Sequence, residues 1–152
     1  MAILVTGAAG FIGFHLSKFL LENGEQVVGI DNLNDYYDPK IKLARLELLA
    51  KYPSFHFEKS NIADREPLME LTRQFAIRNI VHLAAQAGVR YSILHPEKYV
   101  ESNLVGHANM LELARNSDSL EHMLYASSSS VYGGNTKLPY SEKDMVDHPV
   151  SF

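Results

Sequence analysis

The segment Thr6-Gly7-Ala8-Ala9-Gly10-Phe11-Ile12-Gly13 constrains this chain more than any other. It follows Ile3-Leu4-Val5, a short apolar run of the kind that forms a buried parallel strand. It leads into Phe11, Ile12, Leu16, Phe19 and Leu20, which recur at helical spacing until Asn23-Gly24 supplies a stop. A strand that passes into a helix through spaced glycines leaves the helix's first N–H groups unpaired, at the positive end of its dipole. That arrangement suits a pyrophosphate. Glycine also lets the backbone turn tightly and come close to a ligand or to a neighbouring strand.

Spaced glycines mark ordinary turns too, so the second strand separates the readings. Val27-Val28-Gly29-Ile30 ends at Asp31, where a carboxylate accepts the ribose hydroxyls of NAD and repels the extra phosphate of NADP. The alternation then continues. Ile41, Ala44, Leu48 and Leu49 predict a helix closed by Pro53, and Phe55-His56-Phe57 a strand. Leu68, Leu71 and Phe75 predict a helical stripe, followed by a strand at Ile80-Val81-His82-Leu83. A long helix is expected from about residue 96 to 114, with Val100, Leu104, Ala108 and Leu111 on its core face, and a fifth strand at His122-Met123-Leu124-Tyr125-Ala126. Five repeats of strand and helix predict an α/β fold: a Rossmann-type, doubly wound parallel sheet with right-handed crossovers. The expectation is one nucleotide-binding domain over residues 1–152, cut after about the fifth strand, without a substrate domain.

Composition removes other classes. A net charge of −4, with no basic cluster, offers no footprint for nucleic acid or an anionic membrane. No stretch has the length of a membrane span, and the glycines, His15 and Lys18 break the apolar N-terminus. Without cysteine there is neither a disulfide framework nor a thiolate zinc site, and the scattered histidines predict no metal; a reducing, cytoplasmic setting is expected.

The glycine spacing, Gly29-Ile30-Asp31-Asn32-Leu33, the run from His82 to Ser92, Ser102-Asn103-Leu104, and the run from Tyr125 to Gly133 together resemble the extended short-chain dehydrogenase/reductase family of NAD-dependent nucleotide-sugar epimerases and dehydratases. Within it, residues 32–37, Ala84 to Ser92 and Ser127 to Gly133 look most like the bacterial UDP-glucuronate 4-epimerases. The resemblance implies that NAD takes a hydride from C4 of a UDP-sugar and returns it to the other face of a 4-keto intermediate. For the cofactor it implies Gly7, Gly10, Phe11, Ile12, Gly13, Asp31, Asn32, Asn61, Ile62, Leu83, Ala84, Ala85, Gln86 and Asn103. It implies Ser128 as the catalytic serine, and a homodimer packed partly through the long helix.

Departures from the family are informative. Its Tyr-x-x-x-Lys pair does not occur after Ser128: four residues beyond Tyr132 stands Thr136, and four beyond Tyr140 stands Asp144. This chain alone is therefore expected to be inactive. Asn61 stands where the family often has aspartate against adenine, and Ser129 and Ser130 stand where related dehydratases carry an Asp-Glu pair. Hydroxyls cannot perform that acid-base elimination, so dehydration is disfavoured, and the two serines become candidate substrate ligands. Arg90, after the fourth strand, is either a solvated loop charge or a partner for a substrate carboxylate or diphosphate.

Overall fold

The computed structural model describes residues 1–150. Strands β1 (Ala2–Thr6), β2 (Gln26–Asp31), β3 (Phe55–Lys59), β4 (Ile77–His82) and β5 (His122–Tyr125) form one parallel sheet in the order β3-β2-β1-β4-β5. Helices α1 (Phe11–Glu22), α2 (Pro39–Leu49) and α3 (Arg65–Gln74) connect the first four strands. Helices α4 (Val89–Leu94), α5 (Pro96–Tyr99) and α6 (His107–Arg115) lie between β4 and β5. This is the doubly wound α/β fold the sequence predicts. The strand order reverses between β1 and β4, so the crevice at their carboxyl ends is where such a sheet binds ligands.

The period of two along each strand divides the core. Leu4, Val28, Ile30 and Ile80 pack on one face against Leu68 and Leu71 of α3 and Met110 and Leu113 of α6. Ile3, Val5 and Val27 pack on the other against Phe14 and Leu21 of α1 and Leu49 of α2. All five residues of β1 are buried, as a central strand covered on both sides requires.

Three helix faces differ from expectation. In α1 the buried residues are Gly13, Phe14, Ser17 and Leu21, whereas Phe11, Ile12 and Phe19 are exposed. In α2 Lys42 and Leu49 are buried, and Ile41 and Leu48 face out. The expected long helix is a continuous run over residues 96–115 whose middle, Val100–Gly106, winds as a wider π-helix. Its buried residues are Gly106, Met110 and Leu113, so the expected core stripe of Val100, Leu104, Ala108 and Leu111 is on the exposed side. A side chain on Gly106 would have its Cβ 2.6 Å from Ile62, so close packing selects a face that apolar periodicity overlooks. Among the described residues no helix is long and apolar enough to cross a membrane.

Candidate nucleotide site

β1 delivers the chain into a turn that only glycine allows. Gly7 has φ +70°, and a Cβ there would meet the backbone of Ala84 at 3.0 Å. Its carbonyl accepts from the N–H of Gly10 at 2.9 Å, and the same oxygen would lie 2.1 Å from a Cβ on Gly13. The turn, the start of α1 and the strap after β4 thus pack backbone against backbone. No side chain caps α1 and its first turn holds no acid, so its leading N–H groups remain available to an anion.

Asp31 closes the second side. It is buried, and three of its roughly four acceptor sites are taken. Oδ1 accepts from the Leu33 N–H at 2.8 Å and from Lys42 Nζ at 3.1 Å; Oδ2 accepts from the Ala9 N–H at 3.2 Å. One site on Oδ2 is left, which suffices for one ribose hydroxyl rather than for the pair expected from sequence. Lys42 is buried as well and donates to Asn34 Oδ1 at 3.0 Å. One helical turn on, Arg45 donates to the Ala9 carbonyl at 3.1 Å and to the Tyr37 hydroxyl at 3.2 Å.

Between these elements lies a cavity of about 200 Å³ lined by Gly7, Gly10, Phe11, Asp31, Asn32, Asn61, Ile62 and the strap from Leu83 to Gln86. Lys42 and Ser60 also line it, and the Ser60 hydroxyl is buried there without a hydrogen-bond partner. Ile12 and Gly13 do not line it, Ile12 being exposed and Gly13 buried in α1. The Asn61 oxygen accepts from the Ala63 N–H at 3.1 Å and its amide donates to Glu101 at 2.8 Å. One oxygen lone pair remains for an adenine amino group.

The strap is shared with a second cavity of about 590 Å³, lined further by His82, Asn103, His107, Tyr125, Ser128 and Ser130. Asn103, in the π-helical stretch, clamps the strap: Oδ1 accepts from the Gln86 N–H at 2.8 Å, and Nδ2 donates to the Gln86 carbonyl at 2.9 Å. Ser128 is exposed, and its hydroxyl oxygen accepts from the Ser130 N–H at 3.2 Å, capping a short turn at Ser129–Tyr132. Ser129 and Arg90 line neither cavity, and Arg90 is solvent-exposed. His82 is buried beside this wall; desolvation first, and then the neighbouring His107, hold its pKa down to about 4.

The sequence reading missed Lys42, Arg45 and Ser60. A signal for the first two existed. Asp38 caps α2, accepting from the Lys40 N–H at 2.9 Å, with Pro39 in the first turn. Fixing that start puts Lys42 and Arg45, three apart, on one face.

An uncapped helix start, a glycine cradle, a buried carboxylate and an unpartnered hydroxyl, all on one cavity, match the diphosphate and ribose of a dinucleotide. Comparison with known proteins agrees. The family description GDP-mannose 4,6 dehydratase matches residues 4–151. An uncharacterised 37.6 kDa protein of Escherichia coli O111:H- is 56% identical over 151 residues, 99% of this chain and 45% of that protein. UDP-glucuronate 4-epimerase 4 of Arabidopsis thaliana is 48% identical over 151 residues, 99% of this chain and 34% of that protein. The crystal structure of UDP-glucuronic acid 4-epimerase from Bacillus cereus, in complex with UDP-glucuronic acid and NAD, has a TM-score of 0.88 at 35% identity, covering 99% of this chain and 47% of that one. The chain thus spans less than half the length of the relatives it matches.

Proposed function

This chain belongs to the GDP-mannose 4,6-dehydratase family, and from that premise we propose that it forms the NAD-binding domain, residues 1–152, of a longer nucleotide-sugar 4-epimerase interconverting UDP-glucuronate and UDP-galacturonate. The observation that carries the reading is the pair of cavities sharing the strap from Leu83 to Ala87. One has the chemistry of a dinucleotide site, and the other, on the far side of that strap, ends at Ser128. A cofactor in the first and a substrate in the second would both border this strap.

When bound, NAD supplies the hydride acceptor and donor for a sugar carbon. The chain's own residues do the rest of what this domain contributes. The N–H groups at the start of α1, with Gly7, Gly10 and Gly13 holding the close approach, bind the diphosphate. Asp31 Oδ2 accepts a ribose hydroxyl, the Ser60 hydroxyl offers a further partner in the same cavity, and Asn32, Asn61 and Ile62 border the adenine. Asn103 fixes the Gln86 backbone, and with it the strap. Ser128 hydrogen-bonds the reacting sugar hydroxyl, and Ser130 is within the same cavity to meet a second sugar oxygen. The absence of an Asp-Glu pair at Ser129 and Ser130 supports epimerisation over dehydration. The exposed apolar stripe of Val100, Leu104, Ala108 and Leu111 supports a homodimer packed through this helix.

Calorimetric titration of the chain with NAD tests the first part: one site is expected, and no binding would sink it. For the longer protein, UDP-glucuronate is expected to have a higher kcat/KM than UDP-glucose, and the reverse order would remove the substrate assignment.

A further inference from the structure

We propose that Lys42, with Arg45, is a latent binding site for a ribose 2′-phosphate, kept closed only by the pairing of Lys42 with Asp31. The inference rests on reading the first cavity as an NAD site. It goes beyond that reading, because a lone aspartate explains why NADP is rejected but predicts nothing about what remains once it is gone.

Three observations lead to it. Lys42 Nζ is buried on the cavity wall, 3.1 Å from Asp31 Oδ1, so it is neither a solvated surface cation nor a distant one. Its other partner, Asn34 Oδ1 at 3.0 Å, is neutral, so among the described residues Asp31 is the only anion hydrogen-bonded to it. Arg45 meets the same short turn from the opposite end: Ala9 gives its N–H to Asp31 and its carbonyl to Arg45. Lys42 and Asp31 therefore line the edge of the cavity where a ribose would sit, with Arg45 one contact behind them, on Ala9 and Tyr37. With Asp31 in place, the carboxylate repels a phosphate and occupies the nearer cation. With Asp31 made neutral, a buried ammonium is left without a counterion, which is strongly unfavourable until an anion fills the place. A phosphate on the ribose 2′ oxygen is such an anion, and ammonium and guanidinium groups are its ordinary partners.

The alternative is that Lys42 only positions Asp31. A positioning role affects NAD and NADP alike, so the ratio of their affinities separates the two. The chain, freed of co-purifying nucleotide, is titrated with NAD, with NADP, and with adenosine 2′,5′-bisphosphate against 5′-AMP. The wild type is expected to prefer the nucleotides without the 2′-phosphate. Asp31→Asn, and Asp31→Ser as a second variant, are expected to reverse that preference by about tenfold or more in favour of the 2′-phosphorylated ligand. Adding Lys42→Met to either is expected to abolish the reversal. Should neither Asp31 variant fold by circular dichroism, Lys42→Met alone decides: with the carboxylate now unpaired, the ratio moves about tenfold further toward NAD. Loss of NAD without gain of NADP in a folded Asp31 variant, or a ratio indifferent to Lys42, overturns the proposal. A wild-type chain that binds neither nucleotide instead overturns the reading of the cavity.

Discussion

Thr6 donates its hydroxyl proton to Nδ1 of His82 across 2.7 Å, joining the carboxyl ends of β1 and β4 under the two cavities. The direction follows from what else the hydroxyl does. Its oxygen accepts from the N–H groups of Leu83 at 3.1 Å and Ala84 at 3.0 Å, so its own proton is left for the imidazole. His82 is therefore neutral, with its proton on Nε2. One threonine ties the strap's first two residues to the glycine turn.

This arrangement makes stability depend on pH. Protonating His82 would set an N–H against the Thr6 hydroxyl, and burial, with His107 second, holds the folded pKa down to about 4 from 6.5. An unfolded imidazole binds its proton near pH 6.5, so the full stability is present above that value and is lost as pH falls toward 4. The loss attributable to this group is about 3 kcal/mol by pH 4. Urea unfolding of the wild type and of His82→Gln at pH 7, 5.5 and 4.5 measures it. The variant is expected to be less stable at neutral pH and to have a shallower slope; equal slopes would assign the pH dependence elsewhere.

Gly13 and Gly134 predict unequal results for one chemical change. Alanine in place of glycine ordinarily stabilises a helix interior by about 1 kcal/mol. At Gly13, within α1, the added Cβ would lie 2.1 Å from the Gly7 carbonyl oxygen and 3.0 Å from Ala8 Cα, both backbone. Gly13→Ala is expected to cost more than about 3 kcal/mol and to weaken nucleotide binding. Gly134 has nothing within 4 Å of its would-be Cβ, and Gly134→Ala is expected to change stability by less than about 0.5 kcal/mol. Thermal melts of the two variants give the comparison, and a tolerated Gly13→Ala would contradict the close approach.

Asn103→Asp isolates the clamp on the strap. The acceptor toward the Gln86 N–H survives, while the donor toward the Gln86 carbonyl, now at 2.9 Å, becomes a second acceptor. A loss of about 1–3 kcal/mol is expected at neutral pH, with weaker NAD binding. A protonated carboxyl can donate again, so the deficit relative to wild type at the same pH should shrink below about pH 5. A deficit constant with pH would mean that the second hydrogen bond matters little.

How much of this was legible in sequence differs by element. The central strands were, because β1 and β2 carry short, uninterrupted apolar runs that alternate between two buried faces; β4 showed only through Ile80-Val81, and its start at Ile77 was hidden by Arg78 and Asn79. α3 was also legible, since its buried Leu68 and Leu71 lie among mostly polar neighbours. α1, α2 and the run over residues 96–115 were legible as helices, but their buried faces were not, because those faces include Gly13, Ser17, Lys42 and Gly106. Small residues bring backbones together and a lysine pairs with Asp31, and neither adds to an apolar stripe. The same cause hid half of the site. Gly7, Gly10 and Asp31 announce themselves by type and spacing, whereas Lys42 reads as a solvent-facing cation until the fold returns α2 to the end of β2.

Catalysis by the 152-residue chain is the last expectation. Epimerisation needs a group that takes the sugar hydroxyl proton and is itself held in its reactive form. The second cavity offers His82, whose Nδ1 is occupied by Thr6 and whose burial opposes accepting a proton. Tyr99 also lines it, but desolvation, and then Tyr36, raise its phenol above its ordinary value, away from phenolate. Tyr125 is followed four residues later by Ser129, not by a lysine that would favour the phenolate. Ser128 accepts a backbone N–H and, among the described residues, has no base hydrogen-bonded to it. The chain should therefore bind NAD and leave UDP-glucuronate unchanged when the two are incubated together and followed by proton NMR. Formation of UDP-galacturonate by the verified 152-residue chain would show that a side chain on that cavity, one of these four or His107, serves as the base.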